Sequence, residues 1–237
     1  MPVWRRSKTY GTVTYVTVTS ETPSVVTPAV PRLRGVQHLI AAPLAVIGGL
    51  VLLLLADSTP ARIAVAVFMV ASTALFATSA TYHMGRWLPA TKAMLRRADH
   101  SNIFLIIAAT YTPLSLLLLP PRDALTLLIV VWTGALAGVL IRNFWLTAPR
   151  WVYVPIYVAL GWAAIFYIPE FAEAGPLILG LIIAGGVLYT VGALIYSLKW
   201  PQISHTWFGF HEMFHSFTVA AFGTHFAAIA LTVVAFA

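Results

Sequence analysis

The stretch FGFHEMFH, residues 208–215, places two histidines, His211 and His215, four residues apart around a glutamate, Glu212. On a helix this spacing stacks both imidazoles on one face, one turn apart, where they can bind a single metal ion. H-E-x-x-H on a helix is a zinc-binding pattern in which the intervening glutamate acts as general base. Two further stretches offer chemistry: SATYHMG, with Ser79 and His83, and RRADHSNIF, with Asp99 and His100. A catalytic zinc typically takes three protein ligands and a water, so His83 is the candidate third ligand to Zn²⁺. Asp99 can orient or deprotonate that water, whose acidity zinc raises. Ser79 lies one turn before His83 on the same face and can hydrogen-bond the site. The chain has no cysteine, so a metal site must be built from imidazole and carboxylate.

These residues need a scaffold that brings them together, and the composition says what kind. The 237 residues are 60% hydrophobic and 9% charged, with a mean hydropathy of +0.88. A soluble domain carries about 25% charged residues, so this chain cannot cover a water-facing surface. Apolar runs at roughly 37–56, 62–82, 102–119, 124–141, 151–168, 176–198 and 208–236 are each close to the length a helix needs to cross the hydrocarbon core. The expected fold class is an all-α integral membrane protein, a bundle of seven transmembrane helices spanning 35–237. Residues 1–34 form a polar tail outside the bundle, expected to be disordered. They lack the continuous apolar core of a signal peptide, so no cleavage is expected there.

Orientation follows from lysine and arginine in the short loops. With the N-terminus cytoplasmic, the inside carries Arg5, Arg6, Lys8, Arg32, Arg34, Arg86, Lys92, Arg96, Arg97, Arg142, Arg150 and Lys199, and the outside only Arg62 and Arg122, which is 12 against 2 of the 14 basic residues. Trp87, Trp145, Trp151, Trp200 and Trp207 fall at the same inner boundary, as an interfacial aromatic belt would. The N-terminus is thus expected inside and the C-terminus outside. The net charge of +7 is topogenic, and nucleic acid has no place as a partner; membrane lipid does. Under this topology His83, Asp99, His211 and His215 all lie at the cytoplasmic ends of their helices, at one membrane depth. Ionisable residues in such places point to function.

The other polar residues read as structural. Glu212, about 100° round the helix from His211, is expected to face the interface or pair with an arginine, which leaves Asp99 as the favoured base. His100 is expected to be solvated at the interface, His38 and His205 to be interfacial, and His225 to make a buried interhelical hydrogen bond. Pro113, in TYTP, is expected to kink the third span, with Thr110 near the freed carbonyls.

The pieces SATYH (79–83), ADHSNIFLIIAATYTP (98–113) and FGFHEMFHSF with His225 beyond it, in this order and at the ends of spans two, three and seven, resemble the hemolysin III family, the bacterial branch of the progestin and adiponectin Q receptor superfamily. The resemblance covers about residues 35–237. It implies a seven-helix fold with a cytoplasmic N-terminus in the plasma membrane. It also implies zinc held by His83, His211 and His215, with Asp99 and Ser79 around the metal's water. Related receptors and alkaline ceramidases imply hydrolysis of a lipid amide; a lipid sensor with structural zinc and a membrane-lytic protein are the alternatives. Proteolysis is disfavoured.

Overall fold

The computed structural model describes residues 31–145 and 148–236; of the expected tail, residues 1–30 lie outside the described part. The described residues form eight α-helices: α1 (Val36–Leu55), α2 (Thr59–Met84), α3 (Pro89–Leu118), α4 (Pro121–Phe144), α5 (Arg150–Gly161), α6 (Ile168–Glu173), α7 (Pro176–Leu198) and α8 (Phe210–Phe236). A 3₁₀ turn, Ala163–Tyr167, joins α5 to α6, and these three pieces together make the fifth of seven segments long and apolar enough to cross a membrane. The chain is a multi-pass membrane protein with an all-helical fold, and the described residues contain no strand.

Proline punctuates the helix starts. Pro89, Pro121 and Pro176 each open a helix, where the missing N–H would have no partner in any case and the ring presets φ. Ser58 caps α2 by accepting from the Ala61 N–H at 3.3 Å. The third helix starts well before the apolar run expected from residue 102, because Lys92, Arg96 and Arg97 are good helix formers that remain in contact with water. α3 is the central helix: 67% of its apolar window is buried, against 28% for α1. It passes through Pro113 as one helix; Thr110 there donates to Ile106 O at 2.7 Å and Thr112 to Ala108 O at 3.0 Å.

The fifth span departs from the single helix expected over 151–168. It unwinds at Trp162, and α3 repairs the break: the Tyr111 hydroxyl donates to Gly161 O at 2.6 Å and accepts from Ala164 N–H at 3.0 Å. Unwound backbone at membrane depth is tolerated where a neighbouring side chain satisfies it in this way. On the outer faces Leu54, Phe144 and Phe166 are each more than 80% exposed, which is a lipid-facing surface rather than an aqueous one.

Candidate metal centre

The start of α8 is tied down from three sides. Backbone N–H groups of Arg32 and Leu33 donate to Thr206 O and Trp207 O at 2.9 and 3.3 Å. Glu212 accepts from the Gly209 N–H at 2.7 Å, the reach-back half of a capping box. Its other carboxylate oxygen pairs with the Arg34 guanidinium. One turn on, Gln37 donates to Ser216 Oγ at 2.6 Å. The starts of α1 and α8 are thereby locked together, and the end of α2 packs against them. Gly35, in the left-handed region at φ 85°, permits this approach: a Cβ there would lie 3.1 Å from His83 Cβ and 2.8 Å from Met84 Cγ.

This frame brings together the three histidines singled out in the sequence. His83 at the end of α2 faces His211 and His215 in the first two turns of α8, and one ring nitrogen from each lies within 4.8 Å of the others. His211 Nε2 and His83 Nε2 are 3.2 Å apart. Zinc–imidazole bonds of 2.0–2.1 Å at tetrahedral angles place ligand nitrogens about 3.3 Å apart, so the pair is already spaced as two ligands of one ion. Three converging imidazoles with no thiolate nearby are a donor set that suits zinc. The residues fit the metal.

Asp99 on α3 and Ser79 on α2 are not part of the converging trio but face the cavity beside it. Ser79 is buried, its hydroxyl against the Asp99 carboxylate, and both line the same cavity as His211 and His215. His100 turns aside. Its Nδ1 lies 2.9 Å from Arg96 O, and it sits in a mostly enclosed place between Asp99 and Tyr153 rather than in solvent. Glu212 is 1% exposed, committed to Arg34 and Gly209 and absent from the cavity wall.

The cavity runs from this centre along α3, from Asp99 to Leu114, about 22 Å at 1.5 Å per residue. Its walls beyond the histidines are largely apolar, with Ile103, Ile107, Val158, Leu179 and Ile183 among them. The unwound part of the fifth span supplies Trp162 and Ile165.

His38, like His100, was misplaced by sequence reasoning. Expected at the interface, His38 is only 3% exposed and stacks face to face on His215, with ring centroids 3.9 Å apart and an interplanar angle of 9°. Phe76 meets the same ring edge-on at 5.1 Å. His38 lies near the start of an apolar helix, as an interfacial residue would, and only the docking of α1 on α8 shows where its ring goes. His205 is exposed, and His225 makes the expected interhelical bond, to Ile182 O at 3.1 Å.

Comparison with known proteins agrees with the motifs. A family model described as "Haemolysin-III related" matches residues 27–226. Among curated proteins, a "Hemolysin-3 homolog" of Bacillus subtilis is 34% identical over 130 residues, 54% of this chain and 58% of that protein. "Hemolysin-3" of Bacillus cereus is 31% identical over 132 residues, 55% of this chain and 58% of that protein. The matched stretch thus spans little more than half the length of these relatives.

Proposed function

Because the chain belongs to the haemolysin-III related family and joins a three-histidine cluster to a long apolar cavity, we propose that it is a zinc-dependent hydrolase of lipid amides. The observation that carries this reading is that His211, His215 and Asp99 line one cavity whose remaining walls are largely apolar. His83, His211 and His215 would hold the ion, which supplies a Lewis acid that polarises the amide carbonyl and acidifies water. The cavity seats the acyl chain and fixes its amide at the histidine end. Asp99 takes a proton from the attacking water as the new C–O bond forms. It then returns the proton to the amide nitrogen as the C–N bond breaks, leaving a fatty acid and an amine. Ser79, against the carboxylate, holds Asp99 in place. The apolar lining speaks against a water-filled conduit, the conformation that lysis by pore formation would need.

The test has two arms. Metal analysis of purified protein should find about one zinc per chain, and His211→Ala and His215→Ala should each lose most of it. Incubation with a panel of long-chain acylated amines should release free fatty acid, followed by mass spectrometry, and added chelator should abolish release. Full zinc in both alanine variants would remove the site. Zinc without turnover of any amide across the panel would leave a structural metal and a lipid-binding protein.

A further inference from the structure

About 15 Å along α8 from His215, the cavity carries a polar pair that amide hydrolysis does not use. His225 on α8 and Tyr189 on α7 both line it, their ring centroids 5.7 Å apart. His225 Nε2 lies 3.1 Å from Ile182 O. A carbonyl can only accept, so Nε2 carries the proton and Nδ1 is a bare acceptor. Nδ1 is buried and has no partner among the described residues. Gly185 makes room for the ring, since a Cβ at that position would come within 2.2 Å of Nε2. The nearby hydroxyls are committed: Thr218 donates to Phe214 O at 3.0 Å, Thr190 to Gly186 O at 2.8 Å and Thr110 to Ile106 O at 2.7 Å. The Tyr189 hydroxyl has no hydrogen bond among the described residues. At this depth of a largely apolar tunnel, one acceptor and one donor, on rings whose centroids are 5.7 Å apart, are left unmet, and such groups are costly to leave so.

We propose that Tyr189 and His225 bind a hydroxyl group carried partway along the lipid chain that fills the cavity. An acceptor beside a donor is the complement of a hydroxyl, which gives its proton to Nδ1 and takes one from the phenol. An unsubstituted chain satisfies neither group, and a keto oxygen leaves Nδ1 unmet. The proposal rests on the lipid-amide reading for the occupant of the cavity and adds which chain the cavity selects. The hydroxyl lies about 15 Å from the histidine end, about two-thirds of the way along the cavity.

Binding alone tests this, without hydrolysis. Zinc-loaded protein in lipid nanodiscs is titrated with two fatty acids of equal length, one unsubstituted and one hydroxylated about 15 Å from its carboxylate, each competing with a fluorescent fatty acid. Two added hydrogen bonds should make the hydroxylated acid bind about tenfold more tightly to wild type. Tyr189→Phe should erase that preference while binding the unsubstituted acid as before. Equal binding of the two acids by wild type overturns the hydroxyl site and leaves the lipid-amide reading standing. A preference that survives Tyr189→Phe also overturns the site, and binding of neither acid overturns both readings. Should Tyr189→Phe fail to fold, a series of acids with the hydroxyl moved along the chain decides on wild type alone. Tighter binding confined to hydroxyls about 15 Å from the carboxylate supports the site, and a gain at every position overturns it.

Discussion

The imidazoles of His38 and His215 lie face to face, 3.9 Å between centroids and 9° from parallel, although neither nitrogen of His38 has a hydrogen-bond partner among the described residues. His38 is not one of the three histidines whose nitrogens converge. Its flat face, wedged by Phe76, fixes the plane in which His215 presents its nitrogen. Groups that orient a metal ligand typically affect metal affinity 10- to 100-fold. His38→Ala should therefore weaken zinc binding by about tenfold, read by competition with a chelator, whereas His38→Phe, which keeps an aromatic plate, should stay close to wild type. Cobalt substitution gives a second readout, because the visible bands report ligand geometry and should shift in the alanine variant only. If phenylalanine behaves like alanine, the stacked face is not what matters.

Much of this architecture could be read from the sequence, and the misses have one physical origin. Span number follows from runs of apolar residues, a local property, and all seven were legible. Convergence of His83, His211 and His215 was legible too, because a shared membrane depth reduces a three-dimensional question to one coordinate. Depth does not say which way a ring turns. His38 shares that depth and was placed at the interface, yet the packing of α1 on α8 turns it inward. The unwinding at Trp162 was equally hidden, since its compensation comes from Tyr111, some fifty residues away on α3. The fate of Glu212 was half legible: its rotation off the histidine face follows from helix geometry, but its partner Arg34 precedes α1.

Gly35 offers a backbone test of the same frame. At φ 85° any side chain is strained, and a Cβ would press on His83 Cβ at 3.1 Å. Gly35→Ala should destabilise the protein by about 1–2 kcal/mol from the left-handed backbone and lower its zinc content by displacing His83. Unfolding temperature and metal content should fall together. A variant that loses stability but keeps full zinc would show that the approach of α1 to α2 does not position the ligand.

The Arg34–Glu212 pair is structural, with Glu212 fully enclosed and Arg34 at 22% exposure. Removing one member of such a pair leaves an uncompensated charge. Glu212→Ala should thus cost on the order of 3 kcal/mol, visible as a lower unfolding temperature in detergent. Adding Arg34→Ala should recover part of the loss. Additive losses in the double variant would mean the two side chains are not coupled.

The basic residues Arg34, Arg86, Lys92, Arg96, Arg97, Arg150 and Lys199 sit at the helix ends on the histidine side of the bundle, where Trp87, Trp151, Trp200 and Trp207 are exposed. By the positive-inside rule this side is expected to face the cytoplasm. Reporter fusions should place the N-terminus inside and Ala237 outside. The opposite pattern would put the histidine centre at the outer face, open to extracytoplasmic substrates.

Two carboxylates compete for the role of base, and their surroundings separate them. Asp99 lines the cavity beside Ser79, while Glu212 is sealed behind Arg34 and the Gly209 N–H. A base must reach the water it deprotonates, and only Asp99 opens onto the space a substrate would fill. Asp99→Asn is nearly isosteric and leaves all three histidines in place, so zinc should stay bound. Loss of a general base typically costs 10²–10⁴-fold in rate, and release of fatty acid from a lipid amide should drop by about that factor. Glu212→Gln keeps an oxygen for the Gly209 N–H and should lose stability more than turnover per folded, zinc-loaded molecule. The decisive comparison is the rate normalised to zinc content in both variants. A dead Glu212→Gln beside an active Asp99→Asn would mean that the H-E-x-x-H glutamate leaves its arginine during turnover and acts on the substrate itself.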